Sequence, residues 1–544
     1  MQLHRSEVLI IGGGISGITT ALDLLDGGKS VVLLDRDEAS AFGGLARESF
    51  GGMFFVGRRS SAAWAFAIPP TWRCATGTTS LSSARKIFGP RAWAQAYVER
   101  CTTDIYRWVR SHGVRFLPVV NWVERGEFRP GNSVPRFHVT WGTGKGLAET
   151  LIGALRGHAN AKRLTVHFRH RVERLLTRDG RVGKAARVST KRATCRSRRA
   201  PRTWSWLAAA SMADLDRVRQ NWHRDWNAPP AKLLNGSCIV FCRRPAPTTR
   251  PVAAGGVVSH LDKMWNYAAG VHHPRPRQAA SRPFAGAAAL GAVAELARRA
   301  DRTAASCVGL RHAPPRHRHL RAAAAIFLAD HEPPHRAGRE LAVSGAEHNP
   351  SIRDRKPLGF LRDILLRQPL AGEGDDRSLP GFRRCRDPAG AGGKDERAAG
   401  DQSVQLAEVQ NAVGHYDATI ARGRSLMNDE QLRRIAELRQ YRGDRIRAAA
   451  RFQRINDPRA LPLIAVREFI ISRKSLGGIR TDLHSRVLDA AGRPRSRVSM
   501  RSEKPQASVV AACTGCAHWR ARSSAAAFFQ GALRPRRSTD EAHF

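Results

Sequence analysis

A chain of 544 residues is long enough for two or more domains with cores of their own, and it holds no apolar run of membrane-spanning length. The N-terminus runs straight into a strand, which argues against a secretory leader and for a cytoplasmic protein. The formal charge of +45 would ordinarily point to nucleic acid, but residues 1–57 hold four basic and seven acidic residues, a net of −3, while residues 181–210 hold nine basic and no acidic ones.

The first predicted elements occupy residues 7–38, EVLIIGGGISGITTALDLLDGGKSVVLLDRDE. Val8 to Ile11 form an unbroken apolar run, as expected of a parallel strand buried on both faces. Gly12, Gly14 and Gly17 then spell G-x-G-x-x-G at the start of a predicted helix. Gly12 permits the tight turn, Gly14 lets backbone approach a pyrophosphate, and Gly17 lets helix pack close to strand. Asp35 closes the second strand, Val31 to Leu34, where a carboxylate can accept a hydrogen bond from an adenosine ribose. Strand, turn, helix and acid at these distances predict a dinucleotide site, with Arg36 beside it. Ala21 continues the close-packed helix face, and Gly43-Gly44 opens a second glycine-rich loop, GGLARESFGGMFFV. Its four glycines and Ser49, set among large apolar residues, suit backbone pressed against a ligand, which favours FAD over NAD.

Residues 91–112 read as one amphipathic helix, with Ala94, Tyr97, Val98, Cys101, Ile105 and Trp108 on one face and Gly113 as its stop. Val114 to Val119 reads as a strand, and residues 132–155 as an extended stretch, a glycine turn and a helix with Leu147, Leu151, Ile152 and Leu155 inward. Residues 164–177 alternate like a hairpin, and 253–274 are rich in aromatics and glycine, as a cleft lining would be. A helix is predicted over 404–422, another from Asn428 with Gln431 as its capping-box partner, and apolar strands over 461–492 broken at Gly477-Gly478.

Residues 181–210 have neither strand nor helix periodicity, and their Arg, Ala, Ser and Pro richness is what GC-rich DNA gives when read out of frame. The C-terminus carries the same mark. Residues 507–519, ASVVAACTGCAHW, can be encoded by codons that read GFGGGGMHGLRAL when regrouped one base earlier. Regrouping onward through 534 gives EGTFLGGCVFPGR, and over 495–506 it gives IPGLYAVGEAA. Segments 58–89, 184–212, 237–252, 276–337, 369–400 and 494–544 all read as frameshifted. Eight of the nine cysteines fall in or beside them, so cysteine usage says nothing of redox compartment. Cys513 and Cys516 with His518 lack a second pair at zinc spacing, and no metal site is predicted. The arginine-rich stretch 191–202 lacks interleaved aromatics, and no nucleic-acid partner is predicted.

Taken together, GGGISG, GGLARESFGG, RFHVTWGTG, KSLGGIRTD and the regrouped YAVGEAAGFGGGGMHG resemble the FAD-dependent fumarate reductase and 3-ketosteroid Δ1-dehydrogenase superfamily, in its FAD-binding dehydrogenase branch. The resemblance implies an α/β Rossmann-type FAD domain built from both chain ends (1–250 and 461–544), with an inserted α+β cap at 251–460. It implies hydride transfer between flavin and a carbon–carbon bond next to a carbonyl, in a small substrate such as a ketone or enoate. By position, Gly12, Gly14, Gly17, Asp35 and Arg36 would hold the ADP part, and Gly43 and Gly44 would lie near the phosphates. Gly477, Gly478 and Thr481 would approach the isoalloxazine. Arg136 would hold a carboxylate or enolate oxygen, and His138 and Tyr267 would move protons. Ile464 stands in PLIAV where ketosteroid dehydrogenases carry a tyrosine, which counts against steroid desaturation. The competing readings are an inactive flavoprotein remnant, since the C-terminal glycine segment is out of frame, and, distantly, a basic nucleic-acid binder.

Overall fold

A computed structural model describes residues 6–47, 49, 51–55, 88–117, 137–178, 181–190, 194–197, 203–206, 214–224, 226, 228–230, 232–235, 256–270, 350–360, 382–385, 406–426, 428, 454, 456, 463–466, 469–475, 477–484, 486–493 and 498–499. In chain order the first half contains β1 (Val8–Ile11), α1 (Ile15–Asp26), β2 (Val31–Leu34), β3 (Gly52–Phe54), α2 (Phe88–Arg100), α3 (Arg107–Ser111), β4 (Phe137–Val139) and α4 (Thr143–Arg156). Next come β5 (Leu164–His167), β6 (His170–Arg178), β7 (Arg181–Thr190), β8 (Thr194–Ser197), β9 (Thr203–Trp206), α5 (Leu215–Gln220) and β10 (Leu234–Asn235). The remainder is β11 (Val258–Ser259), β12 (Met264–Gly270), α6 (Pro350–Arg353), β13 (Phe382–Cys385), α7 (Leu406–Ala421), β14 (Leu463–Val466), β15 (Phe469–Ser475), β16 (Gly478–Ile479) and β17 (Val498–Ser499).

The frame of the molecule is a five-stranded sheet in the order β17-β9-β1-β2-β5, parallel throughout. Strands β1 and β2 are apolar along their whole length, the pattern of parallel strands buried on both faces. Helix α1 makes the crossover from β1 to β2 and buries Ile18, Ala21, Leu22 and Leu25. Gly27 and Gly28 end it, with Gly28 in the left-handed region at φ +67°. Helix α4 turns Leu147, Leu151, Ile152 and Leu155 into the same core, on the face that its spacing predicts. The sheet edge at β17 comes from the far end of the chain.

Three local expectations need correction. The single helix over 91–112 is interrupted by a π-helical turn, Cys101–Tyr106, between α2 and α3. A π turn adds a residue and rotates the helix beyond it, so Val109 is buried where the unbroken pattern points to Trp108, which is only partly buried. Residues 164–177 are no hairpin. β5 joins β2 at the edge of the main sheet, while β6 pairs with β7 and β7 with β8 in a separate antiparallel sheet. Arg169, at φ +60°, redirects the chain between them, held by its N–H on the Asp37 carbonyl. Finally, Phe116 forms only an isolated bridge to Thr140, and residues 118–119 lie outside the described residues.

A second assembly lies around the return segment. β12 runs antiparallel to β15, β10 lies parallel on the other side of β15, and β11 runs antiparallel to β16. Val218, Leu233 and Met264 form its small core, with Ile470, Trp222 and Trp226 packed against them. The helix expected from Asn428 lies outside the described residues, as do segments 276–337 and 237–252. Of the other segments that read out of frame, residues 184–190, 194–197, 203–206, 382–385 and 498–499 are described as strand backbone.

Candidate functional site

The glycine turn between β1 and α1 is built by close backbone approach. Gly12 has φ +107°, and its N–H donates to the Leu34 carbonyl at 2.8 Å, tying the turn to the end of β2. A Cβ on Gly17 would stand 2.0 Å from the Gly12 carbonyl oxygen, so helix and turn could not both keep their places. Gly13, which the fingerprint treats as a free position, is equally constrained. A Cβ there would lie 2.3 Å from Asp35 Oδ2 and 2.9 Å from the Phe42 ring.

Asp35 is buried, and both its oxygens are engaged. Oδ2 accepts from the Gly13 N–H at 2.6 Å and Oδ1 from the Asp37 N–H at 2.8 Å. The carboxylate therefore braces the turn against β2, with lone pairs to spare for a ribose hydroxyl. Burial pushes the Asp37 carboxyl up to about 6, with the Arg36 guanidinium opposing and Asp35 and Glu38 adding to the rise. The N-terminus of α1 has neither a side-chain cap nor an acid in its first turn, and Ser16 Oγ is buried there without a hydrogen-bond partner among the described residues. Uncapped N–H groups at the positive end of a helix dipole suit a pyrophosphate.

The second glycine loop is bolted to the first. The Gly43 N–H donates to the Gly13 carbonyl at 2.9 Å, and Gly43 forms a parallel bridge with Gly14. Gly43 and Gly44 sit at φ +103° and +57°. Much of the crowding in this loop comes from α4. A Cβ on Gly43 would lie 2.8 Å from Ala148 Cβ, one on Gly51 2.4 Å from the Thr143 carbonyl carbon, and one on Gly144 2.0 Å from the Ala46 carbonyl oxygen. Thr143, a β-branched residue at φ +58°, carries this crossing, and no sequence signal marks it.

Of the residues expected to handle substrate and protons, His138 and the backbone of Tyr267 are described. His138 lies on β4 opposite Met53, fully enclosed, with ring centroids 5.2, 6.0 and 6.5 Å from Phe55, Phe116 and Tyr106. Tyr267 lies on β12 opposite Ile471, and Arg136 lies outside the described residues. Gly477, Gly478 and Thr481 gather in the β11–β16 pairing. There a Cβ on Gly477 would stand 2.0 Å from the His260 carbonyl oxygen, Gly478 opposes Ser259, and buried Thr481 bridges to Val487.

Residues 7–203 match the FAD binding domain family model. Over 526 residues, 90% of each chain, the sequence is 30% identical to a KsdD-like steroid dehydrogenase of Mycolicibacterium smegmatis. The chain belongs to this family of FAD-binding dehydrogenases. Its fold is also that of a 3-ketosteroid Δ1-dehydrogenase from Sterolibacterium denitrificans (TM-score 0.62, 13% identity, 97% of this chain and 98% of the other). A flavocytochrome c3 fumarate reductase in its open conformation shares it as well (TM-score 0.58, 14% identity, 97% and 77%). This dehydrogenase is thus an FAD-dependent oxidoreductase, and the uncapped α1 terminus, the backbone cradle at Gly12 and Gly43 and the orphaned Ser16 hydroxyl fit the cofactor's ADP half. Among the described residues no helix is long and apolar enough to cross a membrane, and no group of acidic, His and Cys side chains could hold a metal ion.

Proposed function

We propose that this FAD-dependent dehydrogenase moves a hydride between flavin and a carbon–carbon bond beside a carbonyl, in a ketone or enoate substrate. The observation that carries the proposal is the Asp35-braced glycine turn with Gly43 bound to it, in a chain whose curated relatives include KsdD-like steroid dehydrogenases. Bound FAD supplies the hydride chemistry at its isoalloxazine. The chain's own residues bind and orient. Gly12, Gly14, Gly17, Asp35 and Arg36 hold the ADP half, Gly43 and Gly44 lie along the phosphates, and Gly477, Gly478 and Thr481 approach the ring system. An inserted cap at 251–460, between FAD-domain segments 1–250 and 461–544, would exclude water from the substrate. Tyr267 on β12 and Arg136 are assigned to proton transfer and to carbonyl binding. His138 on β4 sits among aromatic rings and shares the proton-transfer assignment. The Ile464 position keeps steroid Δ1-desaturation out of the assignment. A second reading, an inactive remnant, is favoured by the out-of-frame C-terminal segment.

The test is reconstitution of purified protein with FAD, followed by anaerobic titration of the flavin band with saturated ketones and, after chemical reduction, with enoates. Bleaching by a ketone or reoxidation by an enoate is the expected outcome. A flavin-loaded protein that responds to neither class would overturn the substrate assignment, and one that takes up no flavin would favour the remnant.

A further inference from the structure

The pairing of β11 with β16 sets Val258 opposite Ile479 and Ser259 opposite Gly478. One step further along this ladder, the Arg480 N–H donates to the Val257 carbonyl at 2.8 Å. Val257, Ser259, Gly478 and Arg480 therefore share one face of the ladder. Gly478 puts no side chain on that face. Arg480 is partly buried, and among the described residues it makes no hydrogen bond or ion pair through its side chain. Five donors in a fixed fork, partly removed from water, call for an acceptor.

His260 borders the same place. It takes φ +57°, a conformation that a residue with a Cβ adopts at a cost of about 1–3 kcal/mol unless its surroundings impose it. What imposes it is the crossing with Gly477, together with a turn in which the His260 carbonyl accepts the Lys263 N–H at 3.0 Å. The imidazole faces Ser259, whose Oγ lies 3.1 Å from Nδ1. Burial lowers its pKa; Asp262 pulls the other way, and Lys263 and Arg480 reinforce the lowering, so it is neutral near pH 7. Lys263 is already engaged, 3.1 Å from Asp262 and 2.6 Å from His223 Nε2.

We propose that Arg480, with the His260 imidazole beside it, forms a specificity-determining subsite at the Gly477–Gly478 turn that takes a substrate oxygen bearing or gaining negative charge. That chemistry is shared by a ketone carbonyl and by a carboxylate. The subsite rests on the reading that this turn approaches the isoalloxazine.

The experiment titrates FAD-loaded protein with 4-androstene-3,17-dione in one arm and fumarate in the other, following the flavin spectrum, with calorimetric titration of the same samples. Arg480→Gln should weaken binding in the responding arm by about 10- to 100-fold, the worth of charge-assisted hydrogen bonds, with flavin uptake unchanged. Arg480→Lys should recover part of that loss. His260→Asn, which tolerates a positive φ, should weaken the same arm without unfolding the turn. A wild-type affinity in Arg480→Gln would overturn the subsite while leaving the dehydrogenase reading in place. Absence of binding in both arms, in wild-type protein with flavin bound, would overturn both. Calorimetry on protein without flavin separates loss of the subsite from loss of the cofactor.

Discussion

Gly17 has no room for an added side-chain atom. A Cβ there would meet a backbone oxygen, which has no rotamer by which to move aside. Gly17→Ala is therefore expected to cost about 1–3 kcal/mol of stability and to lower flavin uptake at least about tenfold, read by denaturant titration and flavin absorbance. Asp37 offers a test by pH. Its carboxyl titrates at about 6 in the folded protein against an ordinary 3.8, so the folded state holds the proton more tightly than the unfolded chain. The stabilisation is complete below 3.8 and is lost as pH rises through about 6. Asp37→Asn should match wild type near pH 4 and exceed it near pH 8 by up to about 3 kcal/mol, measured by urea unfolding at both pH values. At this scale the fingerprint glycines and Asp35 were legible because the phosphate turn demands them. Gly13 was not, because its constraint comes from Phe42 and from Asp35's own side chain, which only folding brings near.

Helix α4 shows what an element adds to its residues. Its inward leucines follow from spacing alone, whereas its N-terminal Gly144 is required by the second glycine loop crossing over it, through the Ala46 carbonyl and Ser49. Gly144→Ala should displace that loop and thereby loosen Gly43 from Gly13. The expected result is weaker flavin binding with far-ultraviolet circular dichroism retained, whereas Leu151→Ala should cost about 2–5 kcal/mol through its cavity. Circular dichroism and unfolding midpoints distinguish the two. The strands were harder to read than the helices. The alternation over 164–177 is real, yet β5 finds its partner in β2, far away in the sequence, so local pattern could not tell a hairpin from two strands of different sheets. The π turn at Cys101–Tyr106 likewise has no sequence period of its own.

Across the whole molecule, the five-stranded parallel sheet draws on residues 8–34, 164–167, 203–206 and 498–499. Two of those strands, β9 and β17, fall in segments that the sequence analysis reads as frameshifted. Restoring the frame over 184–212 and 494–544 is therefore expected to raise flavin content per chain and the unfolding midpoint together, as read by absorbance and calorimetry after resequencing the gene. Equal flavin content in the original and restored chains would show that those segments are dispensable to the site.

The dinucleotide turn, the α/β class and the inward faces of α1 and α4 were all readable from the residues alone, since each is written in positions close together along the chain and obeys a fixed spacing. Folding in three dimensions was needed to show that Asp35 braces Gly13, that α4 crowds Gly43 and Gly51, that His138 is enclosed by aromatic rings, and that His260 meets Gly477. Each of those contacts joins segments distant in sequence, and their energetics depend on which backbones come within van der Waals reach, a quantity that no local pattern encodes.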